Sequence, residues 1–151
     1  MGKVSTSILV PGRIADAETL WYDHARWPAF VEGFSHVVAR DEAWPESGTL
    51  AWDSKPHGRG RVLEQVSAFE ARTGQTSTVE DEQMRGTQTV SFVAEGEGTR
   101  VTLSLDYSLK QRSPLTPIVD LFFVRRALGD SLRRTLARFA AERRAEAEAT
   151  N

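Results

Sequence analysis

Few residues of this chain combine a reactive type with a telling position, and an arginine stands first among them. On a helical wheel, Arg125 falls in the middle of the stripe formed by Leu121, Leu128, Leu132 and Phe139. A charge buried there without a partner is very costly. Arg125 therefore meets an acid, snorkels out near the helix end, or reaches a wet cavity where it binds a carboxylate, carbonyl or phenolate of a ligand. One turn on, Gly129 costs about 1 kcal/mol relative to alanine inside a helix. Close packing against a sheet, or room for a ligand, would account for it. Glu80, Asp81 and Glu82 occur in the segment Gln75–Gln83, which has few apolar residues. Alternation places Thr78, Glu80 and Glu82 on one face. Turned inward, that face supplies a general base or a partner for Arg125. Turned outward, its acids are simply solvated, as acids usually are. Tyr107 adds a hydroxyl. Arg125, Glu80, Glu82 and Tyr107 are thus the candidates for catalysis.

Other chemistries find no support. His24, His36 and His57 are isolated, there is no cysteine, and no pair has the spacing of a zinc site. No metal and no cofactor is assigned. Gly58-Arg59-Gly60 lacks the strand-turn-helix setting of a phosphate loop, and no serine sits in Gly-x-Ser-x-Gly. A net charge of −2 gives no electrostatic case for nucleic acid or an anionic membrane. No apolar run approaches the roughly 20 residues of a membrane span, so no stable membrane insertion is expected. The first ten residues lack the basic start and apolar core of a secretion signal. A soluble, cytoplasmic protein is the expectation.

The elements that must position these residues follow from pattern. The length of 151 residues suits one domain, with about 145–151 expected as a frayed tail. Val4, Thr6, Ile8 and Val10 predict a strand over about 3–13. Asp16 reads as the cap of a first helix carrying Leu20 and Trp21, and Pro28 opens a second short helix to about Glu32 that Gly33 ends. From Phe34 to Leu109, turn signals such as Thr73-Gly74, Arg85-Gly86 and Gly96-Glu97-Gly98 recur as in a meander of hairpins. The last strand is clearest: Val101, Leu103, Leu105, Tyr107 and Leu109 point one way and polar residues the other. Thr116-Pro117 can cap and open a final helix of about 25–30 residues, roughly 40 Å long. Ile118, Leu121, Phe122, Leu128, Leu132, Leu136 and Phe139 share its apolar stripe, while Arg126, Arg133, Arg134, Arg138 and Arg144 lie mostly outside it. Only this helix is large enough to cover one face of the sheet. A curved sheet around one helix leaves a wedge-shaped gap, a natural ligand site.

This order of elements, with Ala17–Trp21, Arg26-Trp27-Pro28-Ala29-Phe30, Gly98-Thr99-Arg100-Val101-Thr102-Leu103 and the closing Leu128–Glu142 helix, resembles the polyketide cyclase/dehydrase and lipid-transport superfamily. The resemblance covers Val4 to about Arg144 and implies an α+β helix-grip fold, START-like, with a curved antiparallel sheet of six to seven strands around a long C-terminal helix. None of these landmarks is a catalytic motif. The implied partner is a small hydrophobic molecule, a lipid, quinone or polyketide-like compound, held in an internal cavity for binding or transport. The alternative is a cyclase or dehydrase using a cavity acid with Arg125 or Tyr107. The cavity residues expected are Trp27, Phe30, Trp52, Phe92, Leu103, Leu105, Tyr107, Phe122, Arg125, Gly129 and Leu132.

Overall fold

The structure is a computed structural model that describes residues 2–110, 119 and 123–150. Its order is β1 (Gly2–Pro11), α1 (Ile14–Trp21), a 3-10 turn (His24–Arg26), α2 (Trp27–Phe30), β2 (Phe34–Arg40), β3 (Thr49–Ser54), β4 (Arg61–Glu70), β5 (Gly74–Glu80), β6 (Met84–Glu95), β7 (Gly98–Leu109) and α3 (Arg125–Ala149). The seven strands form one antiparallel sheet in the order β1-β7-β6-β5-β4-β3-β2. Consecutive hairpins account for every neighbour except β1, which pairs with β7 from Gly2 opposite Tyr107 to Pro11 opposite Gly98. The two short helices carry the chain from one sheet edge to the other.

The predicted alternation of β7 is realised. Val101, Leu103, Leu105 and Tyr107 are buried, and the residues between them are half-buried or exposed. α3 lies on that inner face. Its buried side chains include Leu136, Phe139 and Ala140, while Arg126, Arg133, Arg134, Arg138 and Arg144 are exposed. Phe139 is fully buried, with ring centroids 5.4 Å from Trp21 and 5.3 Å from Phe30. This aromatic cluster joins α1 and α2 to α3, and burying such large apolar surfaces supplies most of its stability.

Several boundaries differ from the sequence reading. Asp16 is not the cap of α1. Arg13 occupies that position, and the Asp16 carboxylate reaches back to accept its backbone N–H at 3.1 Å. An acid in the third helical position satisfies an orphan donor from inside the helix as well as a cap does from outside. α2 starts at Trp27 and ends at Phe30, earlier than expected. Val31 is already extended, and Gly33 takes a positive φ of 76°. At the other end of the chain, α3 continues to Ala149, past the expected onset of fraying. Arg143 is the reason: it is buried, donates to the Pro11 carbonyl at 3.0 Å and pairs with Glu146 at 2.9 Å. Arg26 adds ion pairs to Glu142 and Glu146. The expected helix opening at Thr116-Pro117, with Ile118, Leu121 and Phe122, lies outside the described residues. Among the described residues, no helix is long and apolar enough to cross a membrane.

Candidate ligand cavity

Between α3 and the inner face of the sheet lies a small, partly enclosed cavity of about 60 Å³. Trp21, Trp27, Trp52, Leu103 and Leu132 form its apolar wall. Its polar wall comes from Glu32, Arg59, Glu64, Gln75, Gln88, Ser131 and Thr135. Strand register puts the polar groups together. Trp52 on β3 stands opposite Val62 on β4, so Glu64 is its diagonal neighbour on the same face. The indole Nε1–H donates to Glu64 Oε2 at 2.7 Å. Across the next strands, Ser77 stands opposite Gln88, and both residues share the inner face with Glu64.

Glu64 is buried, at 7 % exposure. Burial pushes its carboxyl above the ordinary glutamate value. The Trp52 hydrogen bond and the Arg59 charge pull the other way without cancelling that push. Among the described residues, none donates to its Oε1. Arg59 is committed elsewhere: its Nε donates to Asp81 Oδ2 at 2.8 Å, while its guanidinium carbon lies 5.7 Å from the centroid of the Trp52 ring. Glu32 lies on the opposite rim. Burial works to raise its carboxyl, but hydrogen bonds from Arg134 and Ser131, with the Arg134 and Arg138 charges, hold it below the usual range. Its Oε2 is buried without a hydrogen-bond partner. Donor use is lopsided. Trp27 Nε1 is spent on the Trp21 carbonyl, and Gln75 Nε2 on that of Pro45. The cavity thus sets the Glu64 carboxyl among aromatic faces, with the Arg59 guanidinium beside it.

The sequence-predicted residues divide into groups. Trp27, Trp52, Leu103 and Leu132 line the cavity. Phe30 and Phe92 are packed into the core around it. Leu105 and Tyr107 belong to a second apolar cluster with Val4, Val79 and Met84, against which Leu128 and Leu132 also pack. Phe122 lies outside the described residues. Arg125, Tyr107 and Glu80 do come together, but around an open groove of about 810 Å³. Glu80 is an ion-paired surface acid there. A hydrogen bond and the charge of Lys110 keep its carboxyl below the ordinary value, with Arg85 nearby at 3.9 Å. The face of β5 that looks inward carries Gln75, Ser77 and Val79, while Thr78 is exposed and Glu82 lies exposed beside Gly60. Gly129 is half-buried. A methyl there would first meet the Arg133 guanidinium, at 3.5 Å, so contact with the sheet is not its cause. Glu64 and Tyr107 share one row across the sheet, through Val79 and Gly86. Three strand spacings separate them along it, roughly 14 Å.

Glu64, Glu32, Arg59, Gln75 and Gln88 were not singled out by sequence reasoning. A signal for Glu64 does exist. Val62, Glu64 and Val66 alternate on one face, while Leu63 between them is 52 % exposed. Among the described residues, no group of three or more His, Asp or Glu is arranged to hold a metal ion.

Solved structures share this architecture. TTHA0849 from Thermus thermophilus superposes with a TM-score of 0.78 at 21 % identity, covering 96 % of this chain and 99 % of that one. A START superfamily protein from Mycobacterium smegmatis gives 0.73 at 17 %, covering 93 % and 95 %. The di-domain ARO/CYC StfQ from the steffimycin biosynthetic pathway gives 0.73 at 17 %, covering 97 % of this chain and 51 % of that one. At these identities the likeness is one of fold. No curated protein matches the chain. The family model described as polyketide cyclase / dehydrase and lipid transport matches residues 1–143, nearly the whole helix-grip unit. With its sheet curved around α3 and that match along its length, the chain belongs to the polyketide cyclase/dehydrase and lipid-transport family.

Proposed function

We propose that the protein binds one small, mostly apolar molecule between α3 and the sheet, with its polar group at the Glu64–Trp52 pair. The observation that carries this reading is a buried carboxyl to which no cation among the described residues is bonded, set among tryptophan faces. A core built for stability alone has no use for such a group, because an unpaired buried acid costs free energy. A ligand that hydrogen-bonds to it recovers part of that cost. Leu103 and Leu132 continue the apolar wall toward the second cluster around Leu105 and Tyr107. An aromatic lipid, quinone or polyketide-like body fits that lining. The volume of about 60 Å³ is below that of drug-sized pockets, so binding parts the walls.

The test is native mass spectrometry of the purified protein, followed by denaturing extraction of whatever travels with it. A stoichiometric hydrophobic adduct, lost in Glu64→Gln, supports the reading. A protein that carries nothing and binds no environment-sensitive hydrophobic dye sinks it.

A second reading is acid–base catalysis of the cyclase or dehydrase kind. It is favoured by the upward push on Glu64, because a carboxyl displaced toward neutral pH suits proton transfer. Glu80, held ionised by Lys110, is the poorer acid–base group. Under this reading Glu64→Gln abolishes turnover of a polyketide-like substrate and Glu80→Gln preserves it. Equal activity in both variants rules it out.

A further inference from the structure

Asp81 sits at the turn between β5 and β6 with a side chain only 2 % exposed. It is amply served by donors. Oδ1 accepts the backbone N–H groups of Gln83 and Met84, at 2.8 and 3.0 Å, and Oδ2 accepts Arg59 Nε. Glu64 is similarly buried and, among the described residues, has only the Trp52 indole. Arg59 bonds to the first and acts on the second. It lines the cavity with Glu64, and its charge already acts on that carboxyl. A guanidinium carries five N–H donors, and a single one is spent on Asp81. Trp52 bridges the gap: its ring attracts the Arg59 cation and its Nε1 holds Glu64. A movement over that ring would take the guanidinium from one carboxylate toward the other. Asp81 would keep both backbone donors after losing Arg59.

We propose that Arg59 is a positioning residue shared between two carboxylates, Asp81 at the turn and Glu64 in the cavity, and that its choice of partner decides whether the cavity offers a ligand a carboxylic O–H or an arginine-paired carboxylate. This rests on the cavity being the binding site, and it deepens that reading by tying ligand polarity to Arg59. With Arg59 on Asp81, burial favours the protonated form of Glu64, which donates to a carbonyl or similar acceptor. With Arg59 on Glu64, the proton leaves to solvent and the pair accepts from a hydroxyl. The other charged groups around Glu64 are fixed. Glu32 is tied to Arg134 on α3, with Arg138 beyond it, and the remaining polar lining from β5, β6 and α3 is neutral.

The experiment follows the Trp52 indole N–H signal by NMR through a pH titration of the ligand-free full chain, since that N–H donates to Glu64. Asp81→Asn keeps an oxygen for the Gln83 and Met84 N–H groups and frees Arg59. The Glu64 midpoint is then expected to fall by at least about one pH unit, a tenfold change in ionisation constant. In an Arg59→Gln background the same replacement is expected to move it by less than a third as much. A midpoint unmoved by Asp81→Asn, or lowered equally with and without Arg59, overturns the proposal. The wild-type chain gives a second measurement that needs no replacement to fold. The Arg59 Nε–H signal is expected to titrate with the same midpoint as Trp52, and a flat Arg59 signal overturns the proposal too. Because no ligand is present, failure here leaves the binding reading standing, and failure to find a ligand leaves the Arg59 exchange standing.

Discussion

Replacing Glu64 by glutamine should stabilise the protein at neutral pH, and by an amount that grows with pH. Unfolded, Glu64 titrates near the ordinary value of 4.5, and folded it titrates higher, chiefly because burial disfavours the charge. Below the unfolded value both states hold the proton, and the neutral side chain contributes in full. Between the two values the folded state holds a proton that the unfolded state has lost. Stability therefore falls as pH rises through that window, by up to about 1.4 kcal/mol per pH unit. Above the folded value the loss is complete. Glutamine does not titrate, and its side-chain oxygen still accepts the Trp52 N–H, so the variant avoids the loss and keeps the bond. For a chain of this length each kcal/mol is about 2–4 °C in Tm, so each pH unit of the window opens a gap of about 3–6 °C. The assay is thermal and urea unfolding of both proteins from pH 4 to pH 8. The expected curves coincide near pH 4 and diverge above it, with Glu64→Gln on top. Parallel curves would mean that Glu64 titrates alike in both states, a wild type that gains on the variant as pH rises would mean a stabilised carboxylate, and either result would refute the argument.

Other outcomes follow from the packing. Phe139→Ala removes a fully buried ring from between Trp21 and Phe30. It should cost about 3–5 kcal/mol in denaturant unfolding, and a loss below about 1 kcal/mol would contradict the packing. Among the described residues, Gly129→Ala meets nothing closer than Arg133 at 3.5 Å and should raise stability by about 1 kcal/mol. A destabilised variant would show that the helix needs the glycine. Arg143→Met removes the donor to the Pro11 carbonyl and the partner of Glu146. Hydrogen exchange in the last turns of α3 should accelerate at least tenfold, and unchanged protection would assign their order to other contacts.

The fold was legible because its signals are local and repeated. β7 alternates along its whole length, glycine turns punctuate the meander, and the stripe through Leu136 and Phe139 marks the face of α3 that meets the sheet. The site was less so, because its key group violates the rule used to find elements. On β4 the acid Glu64 points in and the leucine beside it points out, so a reader of hydropathy looks past both. Arg143 was hidden for a similar reason. It stands among alanines, glutamates and arginines whose composition suggests a solvated tail, and the distant Pro11 carbonyl helps to hold it down. Arg125 and Tyr107 do line one groove, yet that groove is open and its Glu80 is ion-paired.

The sheet order has a consequence for synthesis on the ribosome. β1 pairs with β7 alone, Gly2 with Tyr107 and Pro11 with Gly98. The first strand made must therefore wait, unpaired, until the last hairpin has cleared the exit tunnel, while β2 to β6 can zip in succession. During that interval Val4 and Val10, buried in the finished protein, are exposed on a strand with two open edges. Such a segment invites capture by a nascent-chain chaperone or pairing with another copy. Pausing the ribosome before β7 should therefore raise aggregation far more than pausing after it.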